Sequence, residues 1–168
     1  MSEEAYSEIV KKYADMVYRV ALSYSKSVQD AEDVSQSVFL KLLTKKINFA
    51  DGEHVRRWLI RVTVNECKNI WNSFWRKNVD TVDILPETMP QTKERDRELY
   101  EEVMALPKNY RLVIYLYYYE EYSTKEIAAI LHMKDATVRT RLARARNLLK
   151  MQLNSHEAGY EETSKCLQ

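Results

Sequence analysis

Apolar residues near the start of the chain recur at three- and four-residue intervals. Ile9, Val10, Tyr13, Met16, Val17, Val20, Ala21 and Tyr24 fall on one side when the segment is wound as a helix. A second amphipathic helix is expected from near Asp30, whose side chain can cap the free amides, through Ala31, Val34, Val38, Leu42 and Leu43. Glu32 and Asp33 then fall in its first turn, at the positive end of the helix dipole. Ile47 to Glu53 contains Asn48, Asp51 and Gly52 and reads as a loop. A third helix is expected from about Val55 through Trp58, Leu59, Val62, Cys67, Ile70, Trp71 and Phe74. Its Val62-Thr63-Val64 run has strand propensity, but the flanking helical period outweighs it. The pattern breaks over Asn78 to Gln91, where two prolines and no apolar face mark a flexible linker. Periodicity resumes with Leu99, Val103 and Leu106, stops at Pro107, and restarts over Tyr110 to Tyr119. Ser123 with Glu126 three residues later makes a capping box for a short helix carrying Ile127, Ala128, Ile130 and Leu131. A last helix is expected from Thr137 to about Leu153, followed by a polar, mobile tail.

Composition supports an all-α chain. Two glycines in 168 residues fall well short of the dozen or so that ordinary usage would supply. Tight hairpins and barrel corners consume glycine, so sheet folds are not expected, and Gly52 and Gly159 form no phosphate-binding cluster. No apolar run approaches the roughly 20 residues of a membrane helix. The acidic start, MSEEAYSE, lacks a signal peptide's layout, so a cytoplasmic protein without membrane insertion is expected. Cys67 and Cys166 make no metal-type pair, and His54, His132 and His156 show no ligand or catalytic spacing. Asp30, Glu32 and Asp33 could suggest a metal site, but they lack an opposing ligand and suit capping better. With no nucleophile–base pair either, neither enzyme activity nor a cofactor is expected.

The net charge of +1 conceals segregation. Residues 56–77 hold Arg56, Arg57, Arg61, Lys68, Arg76 and Lys77 against Glu66 alone, a net +5. Residues 134–150 hold six bases against Asp135, again +5, while residues 78–102 hold eight acids against three bases. Two basic blocks divided by an acidic stretch suit two surfaces for a polyanion, or two helices with solvated basic faces.

The second basic block completes a helix-turn-helix, in which the second helix enters the DNA major groove. Ile127, Ala128, Leu131, Val138, Leu142 and Ala145 would pack the motif. Arg139, Thr140, Ala143 and Arg144 then face outward at helical spacing, where an arginine fork can bond guanine O6 and N7. Lys125, Arg141 and Arg146 suit phosphates, which position without reading sequence. The tyrosine-rich run from Leu116 to Tyr119, with Tyr122, reads as core plus phenols reaching water.

The run ALPKNYRLVIYLYYYEEYSTKEIAAIL, followed by ATVRTRLARARNLLK, resembles region 4 of bacterial sigma factors, particularly the extracytoplasmic-function (ECF) group. The resemblance implies that Arg139, Thr140, Ala143 and Arg144 read the minus-thirty-five promoter element, and that Thr137 on the same helix also contacts its DNA. Relatives often carry glycine after the first motif helix and before the Thr-Val pair. His132 and Ala136 stand there instead, which predicts a differently built turn. DAEDVSQSVFLKLL resembles the region 2 helix that grips core RNA polymerase, implying contacts from Asp30, Glu32, Asp33, Gln36, Phe39 and Lys41. Trp58-Leu59-Ile60-Arg61 followed by Asn65 resembles the helix beside the minus-ten element.

Promoter opening takes a base out of the stack at a cost of a few kcal/mol and needs a base pocket with basic groups for the strand. By the same resemblance, Asn48, Phe49 and Asp51 form the specificity loop, and Arg56, Arg57, Arg61, Asn65 and Lys68 line the strand. Trp58 reads as core, while Trp75 beside Arg76 and Lys77 could meet DNA. The implied organisation is region 2 over 1–77, a linker over 78–94, region 4 over 95–154 and a polar tail over 155–168. The implied partners are core RNA polymerase, promoter DNA and an anti-sigma factor. The alternative is a helix-turn-helix transcriptional regulator with an N-terminal sensing domain.

Overall fold

A computed structural model describes residues 2–45, 47–74 and 94–165. Among the described residues the chain is helical and contains no strand, in agreement with the all-α expectation. The elements are α1 (Glu3–Ser25), α2 (Val28–Thr44), α3 (Gly52–Phe74), α4 (Glu94–Ala105), α5 (Lys108–Tyr118), α6 (Thr124–Leu131) and α7 (Asp135–Lys165). They make two compact units, the first built mainly from α1–α3 and the second mainly from α4–α7. Trp75, Arg76, Lys77, Cys166 and the linker expected from residue 78, up to residue 93, lie outside the described residues, as do the side chains of Trp71 and Phe74.

In the first unit each helix packs on the other two. Ser2 caps α1, its Oγ accepting the Ala5 amide at 3.2 Å, and Glu3 and Glu4 face the positive end of the dipole. The apolar stripe of α1 is buried through Val17, Val20 and Ala21, and it meets a core that includes Ala31, Val38, Leu59 and Ile60. Burying each of the larger side chains is worth about 1.5–3 kcal/mol. The buried Thr63 hydroxyl donates to the Leu59 carbonyl at 2.7 Å, so its one polar group is satisfied inside α3.

The start of α2 corrects the expectation for Asp30. Lys26 adopts a left-handed φ of 61° and donates its amide to the Leu22 carbonyl, closing α1. Ser27 follows in extended conformation, and its Oγ accepts the Asp30 amide at 3.2 Å. The chain therefore re-enters a helix at Val28, one turn earlier than expected. Ser27 is the cap, Asp30 is the first-turn acid, and Glu32 and Asp33 fall in the second turn.

In the second unit α5 packs on α7, and α4 on both. Pro107 restricts the residue before it and separates α4 from α5. The Arg111 side chain is buried, and its Nη1 donates to the carbonyls of Met104 and Leu106 at 2.8 and 2.7 Å. A fixed guanidinium thus satisfies carbonyls that the end of α4 leaves open. The capping box before α6 is present as expected. The Ser123 amide donates to Glu126 Oε2 at 3.0 Å, and the Glu126 amide donates to Ser123 Oγ at 3.3 Å.

The expected difference in the turn is only partly found. His132 takes the left-handed conformation, φ 51°, and the next amide, of Met133, reaches back to the Ala128 carbonyl at 3.0 Å. That is the backbone geometry glycine ordinarily supplies at a helix end, here supplied by histidine. Ala136, by contrast, lies within α7. The last helix starts at Asp135 rather than Thr137 and continues to Lys165. The tail expected after Asn154 as polar and mobile is therefore helical for most of its length. Adding residues to an existing helix costs little, and this stretch has glutamate, alanine and lysine but no proline.

Candidate nucleic-acid interface

The capped α6, the turn His132–Met133–Lys134 and the first half of α7 form the expected helix-turn-helix. Ile127, Ala128, Leu131, Val138, Leu142 and Ala145 are all buried, so the opposite side of α7 is free to face outward. Arg139, Thr140, Ala143 and Arg144 lie exposed on that side. Arg139 pairs with Asp135 one turn back at 3.2 Å, and its side chain remains 66% accessible. The Thr140 hydroxyl donates to the Ala136 carbonyl at 2.8 Å, which orients its methyl and remaining lone pairs. Thr137 is half-buried at the N-terminal end of this face. Half-buried Arg141 directs Nη1 to the Met133 sulfur at 3.7 Å, while Lys125 stands exposed in the first turn of α6.

Arg146 is not free in the way expected of a phosphate contact. Its Nε donates to the Tyr118 phenol at 2.8 Å, and its guanidinium lies over the Tyr117 and Tyr118 rings, 5.4 and 5.6 Å from their centres. Tyr118 and Tyr119 are exposed, whereas Tyr115 and Tyr122 are buried, so the tyrosine run divides between core and surface. Asn109 and Tyr110, to which sequence reasoning gave no role, line a groove with Thr137, Thr140, Arg141 and Arg144. The signal for them was their place in the helix directly after Pro107, beside the recognition helix.

In the first unit, the loop before α3 ends at Asp51 rather than Glu53. Asp51 is committed locally, its Oδ1 accepting the His54 amide at 2.7 Å as a helix cap. Asn48 is exposed, and the half-buried Phe49 ring stands edge-on to the His54 and Trp58 rings at 5.5 and 5.7 Å. Trp58 is accordingly only half-buried, sharing an aromatic cluster rather than filling the deep core. Arg56 and Arg57 pair with Glu53 at 3.8 and 2.9 Å. Arg57, Arg61, Asn65 and Lys68 follow one another at four, four and three residues, making one stripe along α3.

The α2 residues divide. Glu32, Asp33 and Gln36 are exposed, and Asp30 is half-buried in the first turn. Phe39 and Lys41, expected to contact a partner, also have partners inside the fold. The Phe39 side chain is in the core, and Lys41 forms an ion pair with Glu66 of α3. Sequence reasoning missed Leu40, 60% exposed, and placed Leu43, 56% exposed, on the buried stripe. Both line a groove between α1 and α2 with Tyr6, Val10, Tyr18, Gln36 and Phe39. Their spacing from Gln36 (residues 36, 40 and 43) was the available sign. Burial, followed by the nearby charge of Glu32, raises the Tyr18 phenol above its usual pKa, so it stays neutral there.

Comparison with known proteins is consistent across the chain. Residues 9–78 match sigma-70 region 2, and residues 96–149 match sigma-70 region 4. The ECF RNA polymerase sigma factor SigM of Bacillus subtilis is 30% identical, over 88% of this chain and 94% of its own length. This chain belongs to the sigma-70 family, in its ECF group. SigW of the same organism is 27% identical over 90% of both chains. The fold is also that of the sigma factor RpoE solved with the anti-sigma factor NepR from Bartonella quintana, with a TM-score of 0.74 over 90% of this chain and 98% of that one, at 23% identity. As a sigma factor, the protein serves promoter-directed transcription initiation. Its first unit matches region 2, where a regulator would carry a sensing domain. No helix among its described residues is long and apolar enough to cross a membrane, and no group of acidic, histidine or cysteine side chains there could hold a metal ion.

Proposed function

We propose that the sigma factor places core RNA polymerase on promoters through two DNA surfaces and one polymerase surface, without catalysis of its own and in the cytoplasm. Region 2 over residues 1–77 and region 4 over 95–154 carry these surfaces, with the linker between them. On α7, Arg139, Thr140, Ala143 and Arg144 read base edges of the minus-thirty-five element. Thr137, Lys125 and Arg141 hold phosphates, and Arg146 does so once it turns from Tyr118. The loop with Asn48 and Phe49 reads the minus-ten element, its shape fixed by the cap at Asp51. Arg56, Arg57, Arg61, Asn65 and Lys68 hold the displaced strand. Asp30, Glu32, Asp33, Gln36 and Phe39, joined by Leu40 and Leu43, form the polymerase-docking face. An anti-sigma factor completes the set of partners.

The observation that carries the minus-thirty-five reading is the exposed face of α7 presented by a capped helix-turn-helix. Two weak DNA surfaces on one chain reinforce each other through effective concentration. In transcription by core enzyme with the full chain, Arg144→Ala should cost about 1–3 kcal/mol on the preferred promoter. It should also abolish discrimination at one position of the minus-thirty-five element. Loss that is uniform across promoter sequences would reassign Arg144 to phosphate.

A further inference from the structure

One imidazole holds the loop before α3 from the helix side. His54 Nδ1 accepts the Ala50 amide at 3.3 Å, while the His54 amide donates to Asp51 Oδ1 at 2.7 Å. Loop and helix therefore cap each other. With Nδ1 as acceptor, the neutral ring carries its proton on Nε2. His54 and Trp58 are four residues apart on α3, and both rings meet the edge or face of Phe49. On its other side the turn is tied to α1, where the Tyr13 phenol donates to the Gly52 carbonyl at 3.0 Å. Phe49 and Ala50 are thus held directly by His54, Asp51 and Gly52 are fixed beside them, and exposed Asn48 is the next residue along.

We infer that His54 is a positioning residue for minus-ten recognition, acting through the Ala50 amide and the Phe49 ring rather than by touching a base. The inference rests on the reading of this loop as the minus-ten reader. A loop already held in its binding conformation has less freedom to lose when a base arrives, so a pre-set loop binds better and discriminates better. The geometry separates the two means of support. Asparagine places an acceptor where Nδ1 stands but has no ring, whereas glutamine places one at the Nε2 position.

The test uses the full-length chain with core RNA polymerase, on a promoter selected from DNA randomised at both elements. The readout is the ratio of open-complex formation rates for preferred and substituted bases, taken separately at each element. His54→Ala should lower the minus-ten ratio roughly fivefold, the size of one lost hydrogen bond. The minus-thirty-five ratio and core affinity should not change. His54→Asn should recover most of the loss and His54→Gln should not. A wild-type ratio in His54→Ala, rescue by glutamine instead of asparagine, or equal loss at both elements would each overturn the inference. Asn48→Ala separates the two levels. If it lowers the minus-ten ratio while His54→Ala does not, only the positioning role fails. If neither changes the ratio, the loop is not the minus-ten reader and both readings fall.

Discussion

Lys41 offers a sharp contrast between an internal role and a docking role. Its ammonium pairs with Glu66, whose side chain is only 13% exposed and also accepts the Ser37 hydroxyl at 3.1 Å and the Asn69 amide at 3.4 Å. The Lys41 side chain is 37% exposed, so solvent screens the pair and its worth must be discounted toward that of a surface ion pair. Removing Lys41 leaves Glu66 with two neutral donors, which limits the cost of the unpaired carboxylate. A double-mutant cycle of Lys41→Met and Glu66→Gln should therefore give a coupling energy of about 0.5–1 kcal/mol. All three tryptophans lie within residues 58–75, so tryptophan fluorescence during urea unfolding reports on this part of the chain. Affinity of Lys41→Met for core polymerase, measured by fluorescence anisotropy, should stay within about twofold once its stability loss is allowed for. A coupling energy of zero, together with a large loss of polymerase affinity, would refute the internal role.

Leu43→Ala should behave in the opposite way. Because Leu43 is 56% exposed, stability should change by less than about 0.5 kcal/mol, while affinity for core polymerase should fall by about 1–2 kcal/mol. His132→Gly should stabilise the fold by about 0.5–1 kcal/mol, since glycine accepts φ 51° without steric cost. His132→Ala should not stabilise it, and thermal unfolding followed by circular dichroism checks both. Burial, followed by the nearby charge of Asp30, pushes the Cys67 thiol up from 9.0 to about 12. In a Cys166→Ser background, Cys67 should resist alkylation at pH 8 until the protein unfolds. The unfolded thiol ionises first, so this group's contribution to stability should decline as pH rises from about 9 toward 12.

The helices were legible because their apolar residues repeat at the helical period, and the Ser123–Glu126 box because both partners are encoded three residues apart. Helix ends were less legible. Ser27 and Asp30 are both good cap residues, and the choice between them depends on Lys26 entering a left-handed conformation that lysine does not advertise. The same blind spot applied to His132. Scarce glycine suggested a different turn, yet histidine holds the conformation glycine would. Among the candidate site residues, the outward face of α7 followed directly from periodicity. The internal contacts of Phe39 and Lys41 were not legible, because their neighbours lie in the core and on α3, far away in sequence. Asp51 was recognised as a polar loop residue, but its commitment as a helix cap depends on where α3 begins.

We propose that this chain opens promoter DNA only as part of a polymerase. Permanganate footprinting of thymines across the minus-ten element, on a promoter selected with the full chain and core enzyme, tests it most directly. Reactive thymines are expected with both proteins present and none with either alone. Reactivity produced by the chain without core enzyme, or none with both, would contradict it.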